Sequence, residues 1–108
     1  MTYFSTRDLD PTDMLPGISR RAVWLSGVML TFFTFEPRSV VPEHAHPNEQ
    51  ITFVTRGALR FTLAGEVRVL RQGDGVCIPA NALHSAVALE EPTEAMDAWS
   101  PPREDYRT

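Results

Sequence analysis

Apolar and polar residues alternate along the centre of the chain. Leu59, Phe61 and Leu63 are interleaved with Ala58, Arg60 and Thr62, and Val67 and Val69 with Glu66, Arg68 and, close by, Arg71. A period of two is that of a strand with one face buried. The break Leu63-Ala64-Gly65-Glu66 predicts that the two runs form a hairpin. Val28 to Phe35 is rich in β-branched and aromatic residues, and Glu49 to Arg56 reads as another strand. Further strands are expected at Gly75–Ile78, Leu83–Leu89 and Glu94–Trp99. Gly57, Gly65, Gly73 and Gly75 punctuate the middle of the chain, and Pro37, Pro42, Pro47 and Pro79 break up the rest. Short strands with frequent turn signals predict an all-β sandwich or barrel. No segment shows a convincing amphipathic helix; Thr6 to Met14 allows a short turn, limited by Pro11. Residues 1–20 read as an N-terminal arm. Residues 100–108 read as a tail too Pro-rich and charged for a regular strand, lying over or beside one end of the barrel.

Composition narrows this further. The 108 residues are enough for one domain, 1–108, with one core. A domain of this size buries only about 60–70% of the surface its unfolded chain exposes, so a homodimer is expected. Ten basic against 14 acidic residues give a net charge of −4, which argues against nucleic-acid or membrane-surface partners. A single cysteine, Cys77, excludes an intramolecular disulfide and is expected to be a small buried hydrophobe. The N-terminus lacks a signal-peptide pattern, and no apolar run approaches the ~20 residues of a membrane helix, so a cytoplasmic location is expected. Trp24, Phe33 and Phe35 read as core or dimer contacts.

The chain has three histidines, His44, His46 and His84. Residues two apart on a strand point the same way, so His44 and His46 can face one point. Gln50 keeps that parity if the chain stays extended, and Glu49 faces away. His84 has to be brought in by the fold. Three imidazoles and a side-chain oxygen suit a divalent first-row metal such as zinc, nickel, iron, cobalt or manganese.

These residues fall into two motifs that resemble those of the cupin family. The first motif has the form G-x5-H-x-H-x3-4-E-x6-G, and the chain matches it from Arg38 through His44, His46 and Gln50 to Gly57. The second has the form G-x5-P-x-G-x2-H-x3-N, matched from Gly73 through Pro79 and His84 to Ala88. Arg38 and Asn81 stand at glycine positions, Ala88 at an asparagine position and Gln50 at the usual glutamate position. The resemblance implies a cupin-type double-stranded β-helix, a jelly-roll barrel. An amide in place of the carboxylate leaves the site one unit more positive, which favours Lewis acidity and an anionic ligand.

A narrower resemblance lies in His44-Ala-His46-Pro-Asn-Glu-Gln50 and Asp97-Ala-Trp99-Ser-Pro-Pro-Arg103-Glu-Asp-Tyr106. Both are similar to the KdgF-type proteins of pectin and alginate breakdown. These open the ring of 4,5-unsaturated uronates to linear 5-keto sugars. The resemblance implies metal ligation by His44, His46, Gln50 and His84. It places an acid–base carboxylate at Asp97, an aromatic wall at Trp99 (phenylalanine in the family) and a substrate-side guanidinium at Arg103. An anionic small molecule such as a uronate suits a metal beside an arginine. Two other readings share the same ligands: a metal-dependent cupin of another class, such as a dioxygenase or isomerase, and a non-catalytic small-molecule binder. A binder needs Arg103 but no mobile proton on Asp97.

Overall fold

The structure, a computed structural model, describes residues 3–107. Its strands are β1 (Thr12–Leu15), β2 (Ile18–Trp24), β3 (Met29–Phe35), β4 (Val40–His44), β5 (Glu49–Arg56), β6 (Ala58–Leu63), β7 (Glu66–Arg71), β8 (Gly75–Ile78), β9 (His84–Ala88) and β10 (Thr93–Ser100). They build a six-stranded sheet in the order β1-β2-β3-β10-β5-β8 and a four-stranded sheet in the order β4-β9-β6-β7. Every strand pairing is antiparallel. The architecture is the all-β jelly roll expected, and among the described residues the only helical pieces are 3-10 turns at Thr6–Asp8 and Glu104–Tyr106.

Alternation decides what faces inward. Ile18, Met29, Phe33, Phe35, Val54, Leu59, Phe61, Leu70 and Ile78 form the core between the sheets. Full burial of each such large side chain stabilises the fold by about 1.5–3 kcal/mol. The inward faces of β5 and β10 break the apolar rule. Gln50 and Thr52 on β5 and Asp97 on β10 are buried alongside Val54, Ala95 and Trp99. Polar groups held in a core need partners, and these cluster at one end of the barrel.

Turn chemistry follows the sequence closely. The β6–β7 hairpin turns through Ala64 (φ 48°) and Gly65 (φ 84°), both left-handed as in a tight two-residue hairpin. Arg38 (φ 64°) and Asn81 (φ 66°) are left-handed too, which is why glycine suits those positions in the family motifs. Gly57 (φ 79°) is the most constrained: a Cβ there would lie 2.4 Å from Thr93 Oγ1 and 2.6 Å from the Pro92 carbonyl oxygen. Thr93 is fully buried and bonds both the Ala58 amide and its carbonyl. Gly57→Ala is therefore expected to lose roughly 2–5 kcal/mol, from left-handed strain plus overpacking, read as a lower urea midpoint.

The structure corrects several expectations. Cys77 is exposed, because β8 pairs it with Ile51 on the outward face of β5. Of the three aromatics expected as core or dimer contacts, Phe33 and Phe35 are core, whereas Trp24 at the end of β2 is 42% exposed, which rules out the core alternative for it and leaves the dimer contact. Strands β1, β2 and β4 carried no clear strand signal. Pro16-Gly17 and adjacent Arg20 and Arg21 obscure the first two, and Pro42 the third.

Candidate metal centre

The three histidines arrive from two strands and a loop. His44 ends β4, His46 lies just beyond it, and His84 opens β9, directly opposite His44 in the β4–β9 register. This pairing brings His84 to the other two across 40 residues of chain. The ring centroids are 4.2 Å apart for His44–His84, 4.9 Å for His46–His84 and 5.6 Å for His44–His46. One ring nitrogen from each lies within 4.8 Å of the other two. His44, His46 and His84 are thus positioned to bind a metal ion.

The surrounding hydrogen bonds fix which nitrogen faces inward. Nδ1 of His44 donates to the Pro42 carbonyl at 2.8 Å, Nδ1 of His46 to Asn48 at 3.0 Å and Nδ1 of His84 to Ala82 at 2.9 Å. A carbonyl oxygen can only accept, so each Nδ1 carries a proton. In a neutral ring that leaves Nε2 as a bare lone pair, the tautomer a metal requires. Burial, followed by the neighbouring positive groups, holds His46 and His84 below the usual imidazole range despite hydrogen bonds acting the other way. His84 Nε2 is buried with no partner among the described residues.

Gln50 makes the same point from a different element. Its amide nitrogen donates to Thr52 Oγ1 at 2.9 Å and to Asp97 Oδ2 at 3.2 Å. Its Oε1 therefore points the other way and lies 2.9 Å from His46 Nε2. With His46 neutral, two acceptors face each other. A shared cation removes that conflict.

Asp97 lies behind Gln50, 4% exposed, with Oδ1 unpartnered among the described residues. Burial pushes its carboxyl up to about 7, against the opposing pull of hydrogen bonds from Thr52 and Gln50. Trp99, two residues on along β10, also faces inward, its ring 5.1 Å from that of His46 and its Nε1 bonded to Thr31 Oγ1 at 2.9 Å. Arg103 lies in the tail. Its guanidinium is 5.3 Å from the Trp99 ring and 4.4 Å from the Tyr106 ring, and it pairs with Asp105 at 2.7 Å.

Two cavities meet here. The inner one, about 60 Å³, is bordered by His44, His84, Gln50, Asp97 and Trp99. The outer one, about 420 Å³, is bordered by Arg20, Arg103, Asp105 and Glu43. Met14, Val41, His44 and Tyr106 belong to both walls. Sequence reasoning missed Arg20, Thr31 and Thr52, and gave no role to Asn48 or Tyr106. Asn48 donates to the Pro101 carbonyl at 2.7 Å and so ties the histidine loop to the tail. The one signal available for Arg20 was its even spacing from Ile18 and Ala22.

A two-sheet jelly roll with three converging histidines is the frame of a cupin. A cupin domain matches residues 31–99, and the chain belongs to the cupin family. Within it the chain resembles the KdgF-type proteins. It is 29% identical over 106 residues to the pectin degradation protein KdgF of Dickeya dadantii (strain 3937), covering 96% of each chain. It also matches the structure of KdgF from Halomonas sp. with a TM-score of 0.92 and 34% identity, covering 97% of each chain. An RmlC-like cupin from Shewanella frigidimarina shares the fold, with a TM-score of 0.93 at 24% identity over 98% of this chain and 96% of that one. No helix among the described residues is long and apolar enough to cross a membrane.

Proposed function

We propose that this protein is a metal-dependent enzyme of pectin or alginate breakdown that opens the ring of 4,5-unsaturated uronates to linear 5-keto sugars. The observation that carries the reading is Asp97: a buried carboxyl with one oxygen unpartnered among the described residues, on the wall of the same cavity as His44 and His84. The likeness to the two KdgF proteins supports it.

His44, His46 and His84 would hold the ion through Nε2, and Gln50 through Oε1. When bound, the ion supplies a Lewis-acid centre for substrate oxygens. The rest is work for side chains. Ring opening removes the proton of the anomeric hydroxyl, forms the carbonyl at C1 and breaks the bond from C1 to the ring oxygen. The electron pair left on that oxygen becomes an enolate, and protonation at C4 gives the 5-keto product. The reaction is an isomerisation, so one carboxyl can take the first proton and deliver the second. Asp97, held near the middle of the pH scale by burial, suits both directions. The outer cavity is of ligand size. Arg103 on its wall offers a guanidinium to the uronate carboxylate. Trp99 presents an aromatic wall on the inner side. On this reading the protein acts as a homodimer, the outward apolar residues Ile51 and Phe53 of β5 being available for contact with a second copy.

Loss of the enol-ether absorbance of a lyase-made unsaturated monouronate tests the reaction. The ring also opens without catalyst, so the expected result is a rate well above that in buffer. A rate equal to that in buffer rejects the proposal.

A further inference from the structure

Arg20 is an inward-facing cation on β2, only 7% exposed, paired across the sheet with Phe33 of the core. Charges are seldom placed there without partners. Its Nη2 donates to the Asp105 carbonyl at 3.1 Å, 85 residues away along the chain. Its guanidinium also stacks over the Tyr106 ring at 4.3 Å. Arg103 holds the same two residues. It is 4.4 Å from the Tyr106 ring, and its Nε and Nη2 reach the Asp105 carboxylate at 3.0 and 2.7 Å. Tyr106 thus lies against two guanidinium groups, one from the barrel and one from the tail, and its ring forms part of both cavity walls.

We infer that Arg20 is a positioning residue: it clamps the Glu104–Tyr106 turn across the barrel mouth and thereby sets where Arg103 and Tyr106 stand on the cavity wall. Apart from Arg20, the side-chain hydrogen bonds of the turn among the described residues are those of Arg103 to Asp105 and Arg107 to Glu104, both within the tail itself. Arg20 ties the Asp105 backbone to β2, while the Tyr106 ring also packs edge-on against Phe33 of β3 and Trp99 of β10, at 6.3 and 5.5 Å between centroids. The guanidinium is suited to this, since it donates along its plane to a carbonyl while its flat face covers an aromatic ring. The consequence for turnover rests on the uronate reading above; the clamp itself does not.

Two measurements on the full-length, metal-loaded protein separate these. Arg20→Met keeps the bulk of the side chain and removes the donor and the charge. Amide hydrogen exchange over residues 103–107 is expected to speed up at least tenfold, with β5 and β10 unchanged and metal content unaltered. KM for the unsaturated monouronate is expected to rise about tenfold, with kcat within about threefold of wild type. Arg20→Lys, which keeps the charge and one donor but not the flat stack, is expected to give a smaller rise in both, and it carries the test if the methionine variant does not fold. Tail exchange at the wild-type rate in a folded variant overturns the clamp. Faster tail exchange with KM unchanged overturns the link to Arg103. A wild-type protein that does not turn over the uronate sinks the functional reading, and the exchange data still decide the clamp.

Discussion

Replacing His84 by alanine is expected to strip the protein of its metal while leaving the barrel folded. His84 Nε2 is a buried acceptor without a partner among the described residues, so the metal-free protein gains little from it. The ring stacks on Phe61 with centroids 6.1 Å apart, and its loss leaves a gap costing on the order of 2 kcal/mol. The loss in metal affinity should be much larger. Removing a residue that merely orients a ligand costs about 10–100-fold, and removing one of three imidazoles must exceed that. Elemental analysis of the purified variant should show well under one ion per chain. Thermal denaturation gives an independent readout. Wild-type protein is expected to be stabilised by added metal, by about 4 kcal/mol when the free ion is ~1,000-fold above its Kd, whereas His84→Ala should show no shift. A variant that keeps its ion would mean that the cation is held elsewhere.

Asp97→Asn is expected to do the opposite: keep the ion and lose the reaction. Asparagine has the same shape, and its carbonyl can still accept from Gln50 Nε2, now bonded at 3.2 Å. Gln50 therefore keeps its orientation toward His46. What disappears is a group that can gain and lose a proton, worth about 10²–10⁴-fold in rate. The variant should also withstand heat slightly better than wild type. Burial disfavours the Asp97 carboxylate, as its position near 7 shows, and an amide avoids that cost. Lower turnover with higher stability is the pattern of a residue kept for chemistry at the expense of the fold. Loss of metal in Asp97→Asn would instead make Asp97 a support for the ligands and no more.

The sequence made most of the fold legible because alternation and turn residues agree over the middle of the chain. Glu49–Arg56, the Ala58–Leu63/Glu66–Arg71 hairpin and Gly75–Ile78 stand where their patterns put them, except that on β7 the residue turned inward is Leu70, while Val67 and Val69 are exposed. The histidines were readable from spacing, and Gln50 from its motif position together with parity; the chain bends at Pro47 and Asn48 between β4 and β5, yet His46 and Gln50 are both buried and Glu49 is exposed. Asp97 and Trp99 were placed by resemblance, and β10 turns both inward. What escaped notice was carried by contacts distant along the chain. Arg20 reads locally as one of two surface arginines. Parity with Ile18 turns it inward, but its partner lies in the tail, and no periodicity reports a contact 85 residues away. Cys77 failed for the reverse reason: a free cysteine in a strand was expected to be a small buried hydrophobe, but strand parity sends it outward.

The central claim is that one cation lies between the inward Nε2 atoms of His44, His46 and His84. Crystals of protein purified without added metal, measured by anomalous diffraction across the first-row transition-metal edges, test it most directly. The account predicts a single strong peak about 2.0–2.2 Å from a ring nitrogen of each of the three residues. A peak bonded to other side chains, or none at the histidines, would contradict it.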